Sequence, residues 1–142
     1  MNPIEQQEIL REMGLKFLEF APEQWEKMVY KYTLVFRSGT SSLSATYSDE
    51  SSEVIDAPLS ALEQGKKLRY GMYMEGKGTW FSMRYTITQP ASYSVDFNYD
   101  KAPDVTFPPS PEDYAADLRK FPRDPEHIPD WLQEELRKAR QG

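Results

Sequence analysis

The sequence predicts an α+β domain built on a four-stranded antiparallel sheet, with elements in the order α-β-β-α-β-β-α-α and helices packed mainly on one face. Three patterns predict it: helical periodicity near the N-terminus, two pairs of alternating segments that form two hairpins, and a proline-capped C-terminal tail. A chain of 142 residues is the usual size of one domain. We therefore expect a single domain over residues 1–142, with a core of about 3–100 and a helical tail of about 110–140.

The first element is predicted to be an amphipathic helix over residues 3–20. Apolar residues recur at helical spacing, and glutamates occupy the other faces. The apolar residues are Leu10, Met13, Phe17 and Phe20. Pro22 ends the pattern, and residues 23–26 predict a short helical turn.

The first hairpin is predicted from alternation over residues 27–37. Tyr30 and Tyr32 point to one side of the strand, whereas Lys31 and Thr33 point to the other. Turn-forming residues follow at 38–41, and the returning strand continues the period of two with Leu43, Ala45 and Tyr47. This pattern indicates a hairpin with one buried face.

An acidic loop and a second helix are predicted next. Residues 48–53 have no apolar anchor, so we expect them to form a loop. Pro58 is suited to begin a helix that reaches about Met72. Its apolar residues are Leu59, Leu62 and Leu68. Residues 75–78 contain two glycines and end it.

The second hairpin is predicted from residues 79–99. Phe81, Met83, Tyr85 and Ile87 alternate on its first strand, and Tyr93, Val95, Phe97 and Tyr99 alternate on its second. Residues 89–92 supply the turn between them.

Cap chemistry defines the tail. Ser110, Pro111 and Asp113 resemble a capping box with proline at the first helical position, and Pro122 ends the helix. Asp124 begins a one-turn helix, and a final helix is predicted over residues 131–140.

Composition restricts the possible partners. The net charge is −6, with an isoelectric point near 4.9, which disfavours direct binding to nucleic acid or to anionic membranes. The chain has no cysteine, its N-terminus lacks a signal-peptide pattern, and no apolar run reaches the ~20 residues that span a bilayer. We therefore expect a cytoplasmic protein, taken as a monomer, that has no membrane association.

Candidate catalytic residues are few. His127 is the single histidine and lies among prolines and a glutamate, where a turn role is favoured over catalysis. Asp96 and Asp100 fall on one strand face about 13 Å apart, too wide for a glycosidase pair. We predict no enzymatic activity, no cofactor and no metal site.

Clustered carboxylates are the most distinctive polar feature. They form two groups, with no basic residue inside the first and only Lys101 between Asp96 and Asp117 in the second. An acidic surface attracts a basic protein partner and raises its association rate. The candidate partner-binding residues are Asp49, Glu50, Glu53 and Asp56 in the first group and Asp96, Asp100, Asp104, Glu112, Asp113 and Asp117 in the second.

Several sequence segments resemble the YezG-like family of bacterial antitoxin and immunity proteins of polymorphic toxin systems. These are residues 69–84 (RYGMYMEGKGTWFSMR), 93–103 (YSVDFNYDKAP), 117–123 (DLRKFPR) and 128–132 (IPDWL). The resemblance extends over most of the chain, from the first helix and residues 22–25 onward. It implies a small cytoplasmic protein that binds and blocks the enzymatic C-terminal domain of a cognate toxin, of nuclease or NAD-degrading type, without catalysis or a cofactor.

Two other functions remain open from the residues. A small-ligand-binding or regulatory module would use a pocket lined by Tyr30, Tyr32 and Tyr85 on the concave sheet face. An enzyme would have to use Asp96 or Asp100.

Overall fold

The computed structural model describes residues 1–90 and 92–141, and over these residues it confirms an α+β fold. The sheet has five strands rather than the predicted four, in the order β3-β2-β1-β4-β5, and all neighbours are antiparallel. The elements in chain order are α1 (Pro3–Glu19), β1 (Trp25–Val35), β2 (Ser38–Tyr47), β3 (Ser52–Ile55), α2 (Ser60–Gly71), β4 (Ser82–Thr88), β5 (Ser92–Asn98), α3 (Pro111–Lys120), a 3-10 helix (Pro125–His127) and α4 (Asp130–Gln141).

The additional strand is β3, which the sequence predicted as part of an acidic loop. It pairs with β2, placing Ile55 opposite Leu43 and Val54 opposite Ser44. A tight turn precedes it, in which the Tyr47 amide donates to the Ser51 carbonyl at 2.9 Å and Glu50 has φ 69°. Val54 and Ile55 favour a strand, but four residues are too few for alternation to show, and pairing with β2 defines the strand.

The first hairpin differs from the prediction at the start of β1 and at the turn between β1 and β2. Residues 23–26 are not helical, because β1 begins at Trp25 after Gln24 at φ 64°. The turn lies at residues 36–37 instead of 38–41, with Phe36 at φ 55° and Val35 paired to Ser38. A two-residue connection keeps the strands paired to their ends, so the residues predicted as a turn form part of β2. The turn predicted at 89–92 includes Ala91, which lies outside the described residues.

One face of the sheet is covered by α1 and α2 and forms the main core. Leu10, Met13 and Phe17 of α1 and Leu68 of α2 are buried against it. The sheet contributes the buried side chains of Met28, Tyr30, Tyr32, Leu43, Ala45, Met83, Tyr85 and Ile87. Three residues predicted on the apolar helix faces, Phe20, Leu59 and Leu62, are exposed instead.

The opposite face of the sheet, which we call the open face, carries the other half of the alternation. Strand register aligns its side chains in rows, one of which runs Ser42, Lys31, Arg84 and Asp96 across β2, β1, β4 and β5. Hydroxyl side chains dominate the remaining rows. They are Ser44, Thr46, Thr33, Ser82, Thr86, Thr88 and Ser94.

The tail packs at the end of the sheet where β1 ends and β4 begins. Val35, Phe81, Tyr114 and Leu132 form a second buried cluster there, which joins α3 and α4 to the sheet. The predicted capping box is confirmed, because Ser110 Oγ accepts from the Asp113 amide at 3.1 Å and Asp113 accepts from the Ser110 amide at 3.2 Å.

Candidate functional site

Four of the predicted interface carboxylates lie together along one border of the sheet. Asp49 and Glu50 are in the turn before β3, Glu53 is in β3, and Asp56 directly follows it. All four side chains are exposed. Because β3 is the last strand in the sheet order, its outer backbone edge pairs with no other strand. We call these four residues and β3 the acidic edge.

Local hydrogen bonds hold part of this charge in place. Asp49 Oδ1 accepts from the Ser51 amide at 3.0 Å and from the Ser51 hydroxyl, and these bonds lower the pKa of the Asp49 carboxyl. Glu53 Oε1 accepts from the Tyr47 hydroxyl at 2.6 Å, which raises the pKa of Tyr47. The turn therefore fixes an ionised carboxylate at the corner of the edge.

Exposed apolar side chains accompany the carboxylates. Val54 is 77% exposed and Leu59 is 82% exposed, and both lie within three residues of Asp56. From Ser38 to Gly65 the chain has no lysine, arginine or histidine. Apolar side chains within a charged rim are the usual anatomy of a protein interface. Val54 and Leu59 were not predicted, because Val54 had been assigned no structure and Leu59 had been placed on a buried helix face.

The second predicted group of carboxylates does not form one surface. Asp96 lies on the open face, Asp100 follows β5, and Asp104 lies in the loop before α3. Asp113 serves the capping box of α3, and Glu112 is exposed in the same first turn. Asp100 is 82% exposed at its side chain and 3.9 Å from Nη1 of Arg123. These acids share proximity in sequence but lie on different elements.

Asp117 is buried, so it cannot contact a partner directly. It is 2% exposed and accepts two hydrogen bonds from Arg69, Nη1 to Oδ1 at 2.8 Å and Nη2 to Oδ2 at 2.6 Å. Its Oδ1 also accepts from the Phe36 amide at 2.7 Å. Arg69 is 1% exposed and uses its Nε to donate to the Trp80 carbonyl at 2.8 Å. Asp117 therefore fastens α3 to α2 and to the β1–β2 turn.

A second buried arginine secures the tail. Arg123 is 8% exposed and donates to the carbonyls of Thr79, Tyr99 and His127 at 2.7–3.0 Å. Its guanidinium also lies 4.7 Å from the Phe81 ring centroid. Burial lowers the pKa of Arg123. Residues 69–84 and 117–123 thus contain the side chains that join the tail to the core.

The open face contains a groove of ≈ 490 Å³ beneath the loop that follows β5. Its lining includes three exposed cations, Lys31, Arg84 and Lys101, and two exposed carboxylates, Asp96 and Asp104. Asn98 holds the loop in position, since its side chain accepts from the Lys101 amide at 2.9 Å and donates to the Lys101 carbonyl at 2.8 Å. The groove combines both signs of charge with serine and threonine hydroxyls.

The tyrosine pocket of the ligand-binding alternative is absent from the described residues. Tyr30, Tyr32 and Tyr85 are at most 5% exposed and are packed beneath the helices. The Tyr85 hydroxyl donates to the Leu10 carbonyl at 2.6 Å, and the Tyr32 hydroxyl donates to the Leu62 carbonyl at 3.4 Å. This prediction was wrong because these tyrosines face the helix layer, whereas the groove lies on the other side of the sheet.

Other site chemistry is sparse across residues 1–90 and 92–141. His127 Nε2 lies 3.8 Å from Glu126 Oε1. No cluster of three or more histidine or carboxylate side chains in this part of the chain could hold a metal ion. Among the described helices, none is both long and apolar enough to cross a membrane.

Comparison with known proteins found no matching family model and no matching curated sequence.

Proposed function

We propose that this chain is an immunity protein that binds and neutralises the enzymatic domain of a cognate bacterial toxin in the cytoplasm. The observation that carries the proposal is the acidic edge, where four exposed carboxylates lie in and beside the outermost strand β3, in a stretch without a basic residue. The resemblance of residues 69–132 to immunity proteins supports the same class of function.

The acidic edge has the chemistry to block a basic toxin domain. Enzymes that act on nucleic acids bind phosphate with lysine and arginine side chains. Carboxylates on a rigid strand can bind the same side chains in place of phosphate. Val54 and Leu59 would supply the apolar contacts, while Asp49, Glu50 and Asp56 would direct the approach. The free backbone of β3 could also pair with a strand of the toxin.

The test is co-expression with a candidate toxin encoded by a neighbouring gene. We expect the toxin to arrest growth alone and to be tolerated in the presence of this chain. Reversing charge at the acidic edge with Glu53→Lys and Asp56→Lys should abolish protection. The matched control is Glu8→Lys with Glu12→Lys, which makes the same charge change on exposed positions of α1 and should leave protection intact.

Binding kinetics provide a second measurement with the purified pair. An interface steered by these carboxylates should associate more slowly as salt rises, because a Debye length near 10 Å at 0.1 M shrinks to about 3 Å at 1 M. Protection that persists in the Glu53→Lys, Asp56→Lys variant would eliminate the acidic edge as the interface. Growth arrest that this chain never relieves would eliminate the immunity function itself.

A further inference from the structure

The strongest unassigned feature is a pair of cations on the open face, on the strands two and three positions from β3 in the sheet. Lys31 of β1 and Arg84 of β4 are directly opposite each other in the strand register. Directly opposed residues have Cβ atoms about 4.5–5.5 Å apart, so like charges in this arrangement destabilise a sheet. Lys31 and Arg84 are nevertheless opposed in a chain whose net charge is −6.

No protein carboxylate within the described ranges neutralises this pair at close range. The ion pairs present there join other residues, and none within 4.0 Å involves Lys31 or Arg84. Asp96 is opposite Arg84 on β5, but beyond that distance. Both cations are exposed to the groove, and Lys101 is positioned on its rim by Asn98.

The groove also has the size of a small-ligand site. Its ≈ 490 Å³ lies within the range of about 300–1,000 Å³ that such sites occupy. Ser82 and Thr33 line it beside the cations, and the carboxylates Asp96 and Asp104 line it as well. The two carboxylates can accept hydrogen bonds from hydroxyl groups of a ligand. A ligand that carries only anionic groups would have no such donors.

We propose that this groove binds a small polyhydroxylated phosphate monoester, with the phosphate between Lys31 and Arg84 and the hydroxyl groups on Asp96 and Asp104. A phosphate monoester carries a charge of about −1.5 to −2 at pH 7. This charge balances the two cations Lys31 and Arg84 better than the single charge of a carboxylate ligand would. Arg84 can bind two phosphate oxygens through its fork of N–H groups, and Lys31 supplies a point charge. The site is independent of toxin neutralisation.

Ribose 5-phosphate is a suitable probe, with inorganic phosphate and ribose as its separate halves. Binding is measured by calorimetry and by amide chemical shifts of the full chain. We expect ribose 5-phosphate to bind more tightly than either half and to shift amides of residues 31–33, 82–84 and 96–101. Saturation in the millimolar range or below is the expected result.

Variants locate the site. Lys31→Gln and Arg84→Gln should each weaken ribose 5-phosphate about tenfold or more, because each removes a charge-assisted hydrogen bond. Lys27→Gln is the matched control: it removes an exposed lysine from the same strand and face, one that pairs with Thr88 instead of a cation. Asp96→Asn should weaken ribose 5-phosphate relative to inorganic phosphate.

Three results would overturn the assignment. The first is no saturable binding of ribose 5-phosphate up to about 10 mM, a concentration at which even weak specific binding would be detected. The second is equal weakening by Lys27→Gln and Lys31→Gln, which would indicate unspecific attraction. The third is ribose 5-phosphate binding no more tightly than inorganic phosphate, which would remove the role of the carboxylates.

Discussion

Removing the Asp117 carboxylate should destabilise the whole fold, because this group is the counterion of a buried arginine. In Asp117→Ala, Arg69 would keep its charge while 1% exposed and would lose both carboxylate hydrogen bonds. The Phe36 amide would lose its acceptor as well. The remaining contacts of Arg69 are the Trp80 carbonyl and the face of Phe121, whose ring centroid is 5.1 Å away.

The expected loss in the free energy of unfolding is about 3–5 kcal/mol, the usual effect of leaving one member of a buried ion pair alone. Domains of this size are stable by about 5–15 kcal/mol, so a large part of the total would be lost. At this chain length the same change lowers the melting temperature by roughly 10–15 °C. Asp117→Asn keeps an oxygen for the Phe36 amide, so its loss should be smaller.

The measurement is urea and thermal unfolding followed by circular dichroism, with Glu112→Ala as the matched control. Glu112 is an exposed carboxylate on the same helix, and its removal should change stability by less than about 1 kcal/mol. The double variant Arg69→Met with Asp117→Leu, measured together with its two single variants Arg69→Met and Asp117→Leu, forms a cycle. We expect it to be more stable than Asp117→Ala, because it leaves no unpaired buried charge.

Two outcomes would refute this reasoning. A loss of less than about 1 kcal/mol in Asp117→Ala would mean that Arg69 is not confined at its buried position. Additive losses in the double variant would mean that the two side chains act independently rather than as a pair. Should Asp117→Ala fail to fold, the comparison of Asp117→Asn with the double variant tests the same coupling.

Three further predictions concern the rest of the fold. Gly14→Ala should cost about 1–3 kcal/mol in thermal unfolding, because a Cβ there would lie 2.5 Å from the buried Tyr85 hydroxyl oxygen; an unchanged melting temperature would contradict this packing. Ser110→Ala should cost about 1 kcal/mol by removing the capping box of α3, and Ser110→Thr should restore most of it. Burial raises the pKa of Tyr32 and of Tyr114 to about 12 from an ordinary value of 10.0, so folding favours the neutral phenols. The contribution of each tyrosine to the free energy of unfolding, about 3 kcal/mol, is therefore complete below pH 10 and is lost between pH 10 and 12. Unfolding at a series of pH values checks this, and Tyr32→Phe should flatten the decline.

The elements whose signal is local were predicted well. The capping residues of α3 and the helical periodicity of α1 depend on neighbours within one or two turns, and the capping box and the buried positions Leu10, Met13 and Phe17 match the structure. The strand β3 was missed because it is formed by its backbone pairing with β2, which no local pattern encodes. The turn at Phe36 was predicted at the wrong residues for a related reason, since the register of the whole hairpin decides where the chain reverses.

The sequence by itself determined the fold class, the acidic charge and the two faces of the four strands it predicted, including the outward direction of Lys31. Tertiary structure decided which charges share a surface. It separated Asp117 from the other acids by burying it against Arg69, and it placed Asp49, Glu50, Glu53 and Asp56 along a free strand edge. It also brought Lys31 and Arg84 together from residues 53 positions apart. Alternation fixes the face of a side chain, but only strand pairing fixes its neighbour across the sheet.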